Sequence, residues 1–148
     1  MAAICARHGG TLDKFVGDSV IVFFGDPDSR GIQEDAVACA RMAVEMQQRA
    51  HELGVDIRIG ISSGECTVGN FGSEDRMEYT IIGKVVNAAA RLEQNSEPGR
   101  ILISDTTWER IREHIRCEPR GGIQVKGIDT PLVTYWISEP LRSDAAGR

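Results

Sequence analysis

Residues 11–24 read TLDKFVGDSVIVFF, two apolar stretches on either side of Gly17-Asp18, and that pattern decides how the chain begins to fold. Glycine takes backbone angles closed to other residues, and aspartate is ordinary turn chemistry, so the pair suits a tight reversal. The stretch is expected to be a β-hairpin with its turn at those two residues. Its second strand, 19–24, is almost wholly apolar and is expected to be buried on both faces.

Working outward, residues 2–8 suit the last turns of a helix, stopped by Gly9-Gly10. Beyond the hairpin, 25–31 with Pro27 and two aspartates reads as a loop. Residues 33–53 then set Ala36, Val37, Ala40, Val44 and Met46 near helical spacing, with Gly54 as the stop. The run VDIRIGIS, 55–62, alternates as a strand does, Ser63-Gly64 punctuates it, and 65–71 continues as a second short strand or loop. Residues 78–82 form another short strand. After Gly83, KVVNAAARLEQN predicts a helix that ends before Pro98-Gly99. A strand at 101–104, a helix at 106–114 capped by Ser104 or Asp105, and late strands at 123–125 and 133–137 complete the order. Hairpins mixed with helical crossovers define an α+β class, a mainly antiparallel sheet with helices packed on it. Residues 1–140 are expected to be one domain and 141–148 a disordered tail.

The chain has 148 residues, 41% hydrophobic and 26% charged, which suits one globular domain with its own core. Seventeen basic against 22 acidic residues give a formal charge of −5 without a basic stripe, so nucleic acid is not expected as a partner. No apolar run is long enough to cross a bilayer and no signal-peptide pattern opens the chain, which reads as cytoplasmic. Cys5, Cys39, Cys66 and Cys117 make no CxxC pair, so reduced, mostly buried thiols are expected rather than a zinc site or disulfide framework.

Three local features carry chemistry. In KFVGD, 14–18, a carboxylate beside a tight turn can reach a cleft and hold Mg²⁺, although Gly-Asp is also simply a turn. In YTIIGKVVNAAAR, 79–91, Asn87 and Arg91 stand four apart on a helix, hence on one face. They could present an amide to a ribose and a guanidinium to a phosphate, or merely form a solvated face. In Val125-Lys126-Gly127 a lysine at a strand end offers a point charge to phosphate, or serves only solubility.

The order and spacing of these features resemble those of class III adenylyl and guanylyl cyclase catalytic domains. The resemblance runs through HGGTLDKFVGDSVIVFFG, DIRIGISSGECTVGNFGSEDRMEYTIIG, VVNAAARLE, PGRILISDTTWE and QVKGID, and covers roughly residues 4–137. It implies a ferredoxin-like cyclase fold. Carried over residue by residue, it implies that Asp18 is the second metal-binding aspartate of a site holding two Mg²⁺ or Mn²⁺ ions. Asn87 would orient the ribose, Arg91 would stabilise the transition state, and Lys126 would contact the triphosphate. Lys14 and Thr80 would select the purine, with Ile81 adding a backbone contact. Lysine can only donate, which suits N1 of adenine, and the Thr80 hydroxyl can accept from the exocyclic amine, so ATP is the expected substrate and cyclic AMP with pyrophosphate the products.

The resemblance also implies a homodimer or a cyclase-domain partner, with Asp18 serving one shared site and the other residues the second. The family normally opens with a strand ending in an aspartate, a Gly-Phe-Thr-like turn and helices that cradle the triphosphate. That first strand and those helices have no counterpart before residue 1, so the 148 residues alone are expected to show little cyclase activity, and the reading leaves membrane attachment of the longer parent protein open. The competing expectation is a cyclase-like module that binds nucleotide or a partner domain without turnover.

Overall fold

The computed structural model describes residues 2–26, 28–73, 76–124 and 131–138, with backbone alone for 71–73 and 76–80. The elements follow the sequence closely: α1 (Ala2–Arg7), β1 (Thr11–Val16), β2 (Ser19–Phe23), α2 (Ile32–Glu52), β3 (Ile59–Ile61), β4 (Thr67–Ser73), β5 (Arg76–Ile82), α3 (Lys84–Asn95), β6 (Ile101–Ser104), α4 (Asp105–Ile111), β7 (Cys117–Ile123) and β8 (Leu132–Ile137). The class is α+β and the pairing mainly antiparallel. The described strands form three sheets, β1-β2, β4-β5 and a four-stranded β3-β6-β8-β7 in which only β3-β6 is parallel.

The four-stranded sheet is the centre because β6 is buried along its whole length. Alternate side chains of a strand point to opposite faces. Ile101 and Ile103 therefore enter one cluster with Ile61, Ile137, the α2 alanines Ala36, Ala40 and Ala43, and Ile111 at the end of α4. The alanines leave room for α2 to lie close on the sheet. Leu102 enters the opposite cluster with Leu92 of α3 and Ile123. Full burial of an aliphatic side chain of this size contributes about 1.5–3 kcal/mol, so β6 anchors both layers. The Ser104 hydroxyl accepts from the Thr107 amide at 3.3 Å, which makes Ser104 the cap of α4.

Three expectations change. The strand β2 is not buried on both faces: Ser19 and Val20 are exposed and only Phe23 is fully buried. Helices reach only one end of the hairpin, where Val22 and Phe24 pack on Ile4, Cys5, Met42 and Met46, while Leu12, Phe15 and Val20 stay open. The strand expected over 55–62 shrinks to β3, the three residues that find a partner in β6. Where a short strand is expected at 123–125, the seven-residue β7 ends at Ile123 and residue 125 lies outside the described residues; the pairing of β7 with β8 overrides turn-prone Pro119, Gly121 and Gly122, with a register shift between Pro119 and Gly121. The expected tail at 141–148 lies outside the described residues.

Gln47 is 1% exposed and ties the long helix to the sheet, its Nε2 donating to the carbonyls of Ile57 at 2.7 Å and Arg100 at 2.9 Å. Gln47→Leu removes both bonds while each carbonyl keeps another donor, the Gly99 amide on Ile57 and the Ile59 amide on Arg100, and is expected to lower unfolding stability by about 1–2 kcal/mol; urea titration of the two proteins measures it, and an unchanged midpoint would show that the two bonds carry no stability.

Candidate active site

The hairpin between β1 and β2 turns at Gly17, whose φ of 62° is positive while Asp18's is not. A positive φ at only the first central residue is the pattern of a II′ turn, which matches the twist of paired strands. Asp18 is thereby held exposed at the tip. Lys14, opposite Ile21, is also exposed.

β1 packs beside β5, although 59 residues or more separate them in the chain. Lys14 and the backbone of Thr80 thus belong to neighbouring strands, with Thr80 opposite Gly69 and Ile81 opposite Val68 in the β4-β5 pair. The Ile81 side chain is buried. β5 leads through Gly83 straight into α3. Gly83 has φ 149° and ψ 172°, a combination essentially restricted to glycine, and a Cβ there would also stand 3.2 Å from Cys66 Cβ.

Asn87 lies exposed near the start of α3, and Arg91 follows one turn later, half-buried. The Arg91 Nη1 donates to Gln94 Oε1 at 3.3 Å, and among the described residues no carboxylate pairs with the guanidinium. Its charge is therefore not consumed by an internal ion pair there. The adjacent face of α3 buries Ala88 and Leu92. The fold thus gathers Lys14, Thr80, Ile81, Asn87 and Arg91 on a continuous β1-β5-α3 path, with Asp18 at the end of the hairpin. Lys126 lies outside the described residues. Gly60, which the sequence reading passed over, lies beneath α3; a lone glycine inside an apolar strand was the available signal.

The chain matches the model of the adenylate and guanylate cyclase catalytic domain over residues 1–139, and it belongs to that family. Its fold is similar to the adenylyl cyclase CyaB from P. aeruginosa, with a TM-score of 0.87 and 46% identity over 97% of this chain and 78% of that one. It is also similar to the guanylyl cyclase Cya2, at TM-score 0.81 and 37% identity over 92% and 73% of the two chains. The guanylate cyclase domain of RhGC from Catenaria anguillulae, solved with GTP, aligns at TM-score 0.82 and 29% identity over 93% and 76%. An uncharacterised protein of Mycobacterium tuberculosis is 39% identical over 129 residues, 84% of this chain but 24% of its own length. The chain thus spans about a quarter of that curated relative.

Cyclase domains of this family generally use divalent metals. Among the described residues no three His, Cys, Asp or Glu side chains converge as a metal site. The exposed Asp18 is one candidate carboxylate, and the described residues do not by themselves fit a complete two-metal centre. Nor is any helix among them long and apolar enough to cross a membrane.

The four thiols are free, with Cys5 buried, Cys39 and Cys117 partly so, and Cys66 exposed beside Gly83. Burial, reinforced by neighbouring Cys5, pushes the Cys39 thiol up to about 12. Since the thiolate is the reactive form, iodoacetamide at pH 8 is expected to label Cys66 well before Cys39 in the folded chain and all four after denaturation. Peptide mass mapping measures this, and early labelling of Cys39 would contradict its burial.

Proposed function

We propose that residues 1–140 form the catalytic domain of an adenylate cyclase, converting ATP to 3′,5′-cyclic AMP and pyrophosphate in intracellular signalling. The observation that carries the reading is the adjacency of β1 and β5, which brings Lys14 and Thr80 onto neighbouring strands. An ammonium can donate to N1 of adenine and clashes with the N1–H of guanine, while a threonine hydroxyl accepts from the adenine amine. The same position of β5 delivers the ribose and phosphates toward α3. There the Asn87 amide would orient the ribose, and the Arg91 guanidinium would offset charge building on the phosphate as the 3′ oxygen attacks the α-phosphorus. The bond from that phosphorus to the bridging oxygen breaks, pyrophosphate leaves, and the 3′ hydroxyl proton is released. Lys126 would hold the triphosphate. Mg²⁺ or Mn²⁺ is the proposed cofactor class, with Asp18 as a ligand.

The shared site that the family resemblance implies supports a homodimer or a pairing with another cyclase domain, and a cytoplasmic setting follows from the nucleotide substrate. Because the 148 residues offer one candidate metal carboxylate where two are implied, turnover by this chain alone is expected to be low. Binding is accordingly the direct readout. A non-catalytic nucleotide-binding module makes the same binding prediction and differs only in turnover by the longer protein.

With Mn²⁺ present, the chain is expected to bind a fluorescent ATP analogue more tightly than its GTP counterpart. Lys14→Glu replaces a donor with an acceptor and should weaken ATP by about 10-fold or more while favouring GTP, the scale of one hydrogen bond to a charged group. Equal affinity for the two purines, or an unchanged preference in the variant, would refute the ATP assignment.

A further inference from the structure

α3 carries both Asn87 and Arg91, so the seat of this helix decides where an amide and a guanidinium stand. Its seat is the face of the sheet that presents Leu102, Leu92's buried partner, together with Ile123. The middle residue of β3, Gly60, lies in register with Leu102 and faces the same way, while Ile59 and Ile61 face the α2 side. A Cβ built on Gly60 would stand 2.3 Å from the Glu93 nitrogen, 2.6 Å from the Ala89 carbonyl oxygen and 2.8 Å from the Leu92 carbonyl carbon.

All three obstacles are helix main chain, which cannot swing aside as the end of a long side chain can. Gly60 is not among the residues with positive φ, so the requirement is space rather than backbone freedom. Helix backbone rests directly on strand backbone. At the rim of the same contact the Arg58 Nε lies 3.5 Å from Glu93 Oε2. Restoring an ordinary separation of about 3.5 Å between non-bonded heavy atoms requires α3 to lift by roughly 1 Å. The touched segment, 89–93, overlaps the turn that separates Asn87 from Arg91, so both side chains would move with it.

We propose that Gly60 is a positioning residue of the site: it sets the depth at which α3 docks, and thereby the place where Asn87 and Arg91 meet the nucleotide. The roles of those two side chains rest on the cyclase reading; the hold of Gly60 on α3 does not. A misplacement of this size can cost a reacting system about 100-fold, and the loss in ground-state nucleotide binding is expected to be smaller, about 3- to 10-fold.

The test uses the 148-residue chain carrying Gly60→Ala, with Gly64→Ala as control. A Cβ at Gly64 meets only Val85 Cγ2 at 3.5 Å and Cβ at 3.7 Å, ordinary contacts. Two quantities are measured: affinity for the fluorescent ATP analogue with Mn²⁺, and amide hydrogen exchange along the chain. Gly60→Ala should weaken the nucleotide and speed exchange across 84–95 while leaving α2 as in the parent. In an Asn87→Ala/Arg91→Ala background its extra effect on affinity should shrink toward zero. The Gly64→Ala chain should match the parent in both. Where Gly60→Ala does not fold, Ala88→Val presses the same buried helix face through a side chain and is expected to give the same non-additive loss. Parent-like exchange and affinity in Gly60→Ala, or a loss that adds in full to the double variant, overturns the proposal. A parent chain that binds no nucleotide, with exchange in α3 still faster in Gly60→Ala, would strike the cyclase reading and support the hold of Gly60 on the helix.

Discussion

The structure depends on burying β6 from both sides at once. Ile101 and Ile103 commit one face of the strand to α2 and α4, and Leu102 commits the other to α3. A four-residue strand can serve two layers only because every one of its residues is enclosed. The helices are therefore not independent additions to a sheet. Each is located by the same strand, and the side chains that α3 offers to solvent inherit their position from what it buries.

That constraint explains which parts of the fold were legible in the sequence. The hairpin turn could be read because Gly17-Asp18 is a local signal, and α3 because an alanine-rich run behind Gly83 has few alternatives. The burial of β2 could not be read, because apolar composition reports what a strand can bury and not whether a layer arrives to cover it. Val20 is as apolar as Val22, yet only Val22 meets the helices. The strand β7 was hidden for the converse reason. Pro119, Gly121 and Gly122 argue locally for a turn, and the pairing with β8 outweighs them.

The candidate site divides in the same way. Asn87 and Arg91 are near neighbours on one helix, so their shared face followed from spacing alone. Lys14 and Thr80 are 66 positions apart, and nothing local joins them. That their two strands lie side by side is given by the packing of β1 on β5. Gly60 was marked in the sequence only as a glycine inside an apolar strand; its importance appears when the space a methyl group would occupy is found to be filled by the main chain of α3.

The strands β3 and β6 run parallel, so the chain between them must return to its starting end of the sheet. That return is made by α3, and the β4-β5 ribbon is spliced into the path ahead of it, pairing only with itself among the described strands. A ribbon placed in this way can change its length or its tip residues while the enclosed strand and its helices keep their places. The architecture thereby separates a part whose length and sequence can vary from the part that must remain fixed for the protein to fold.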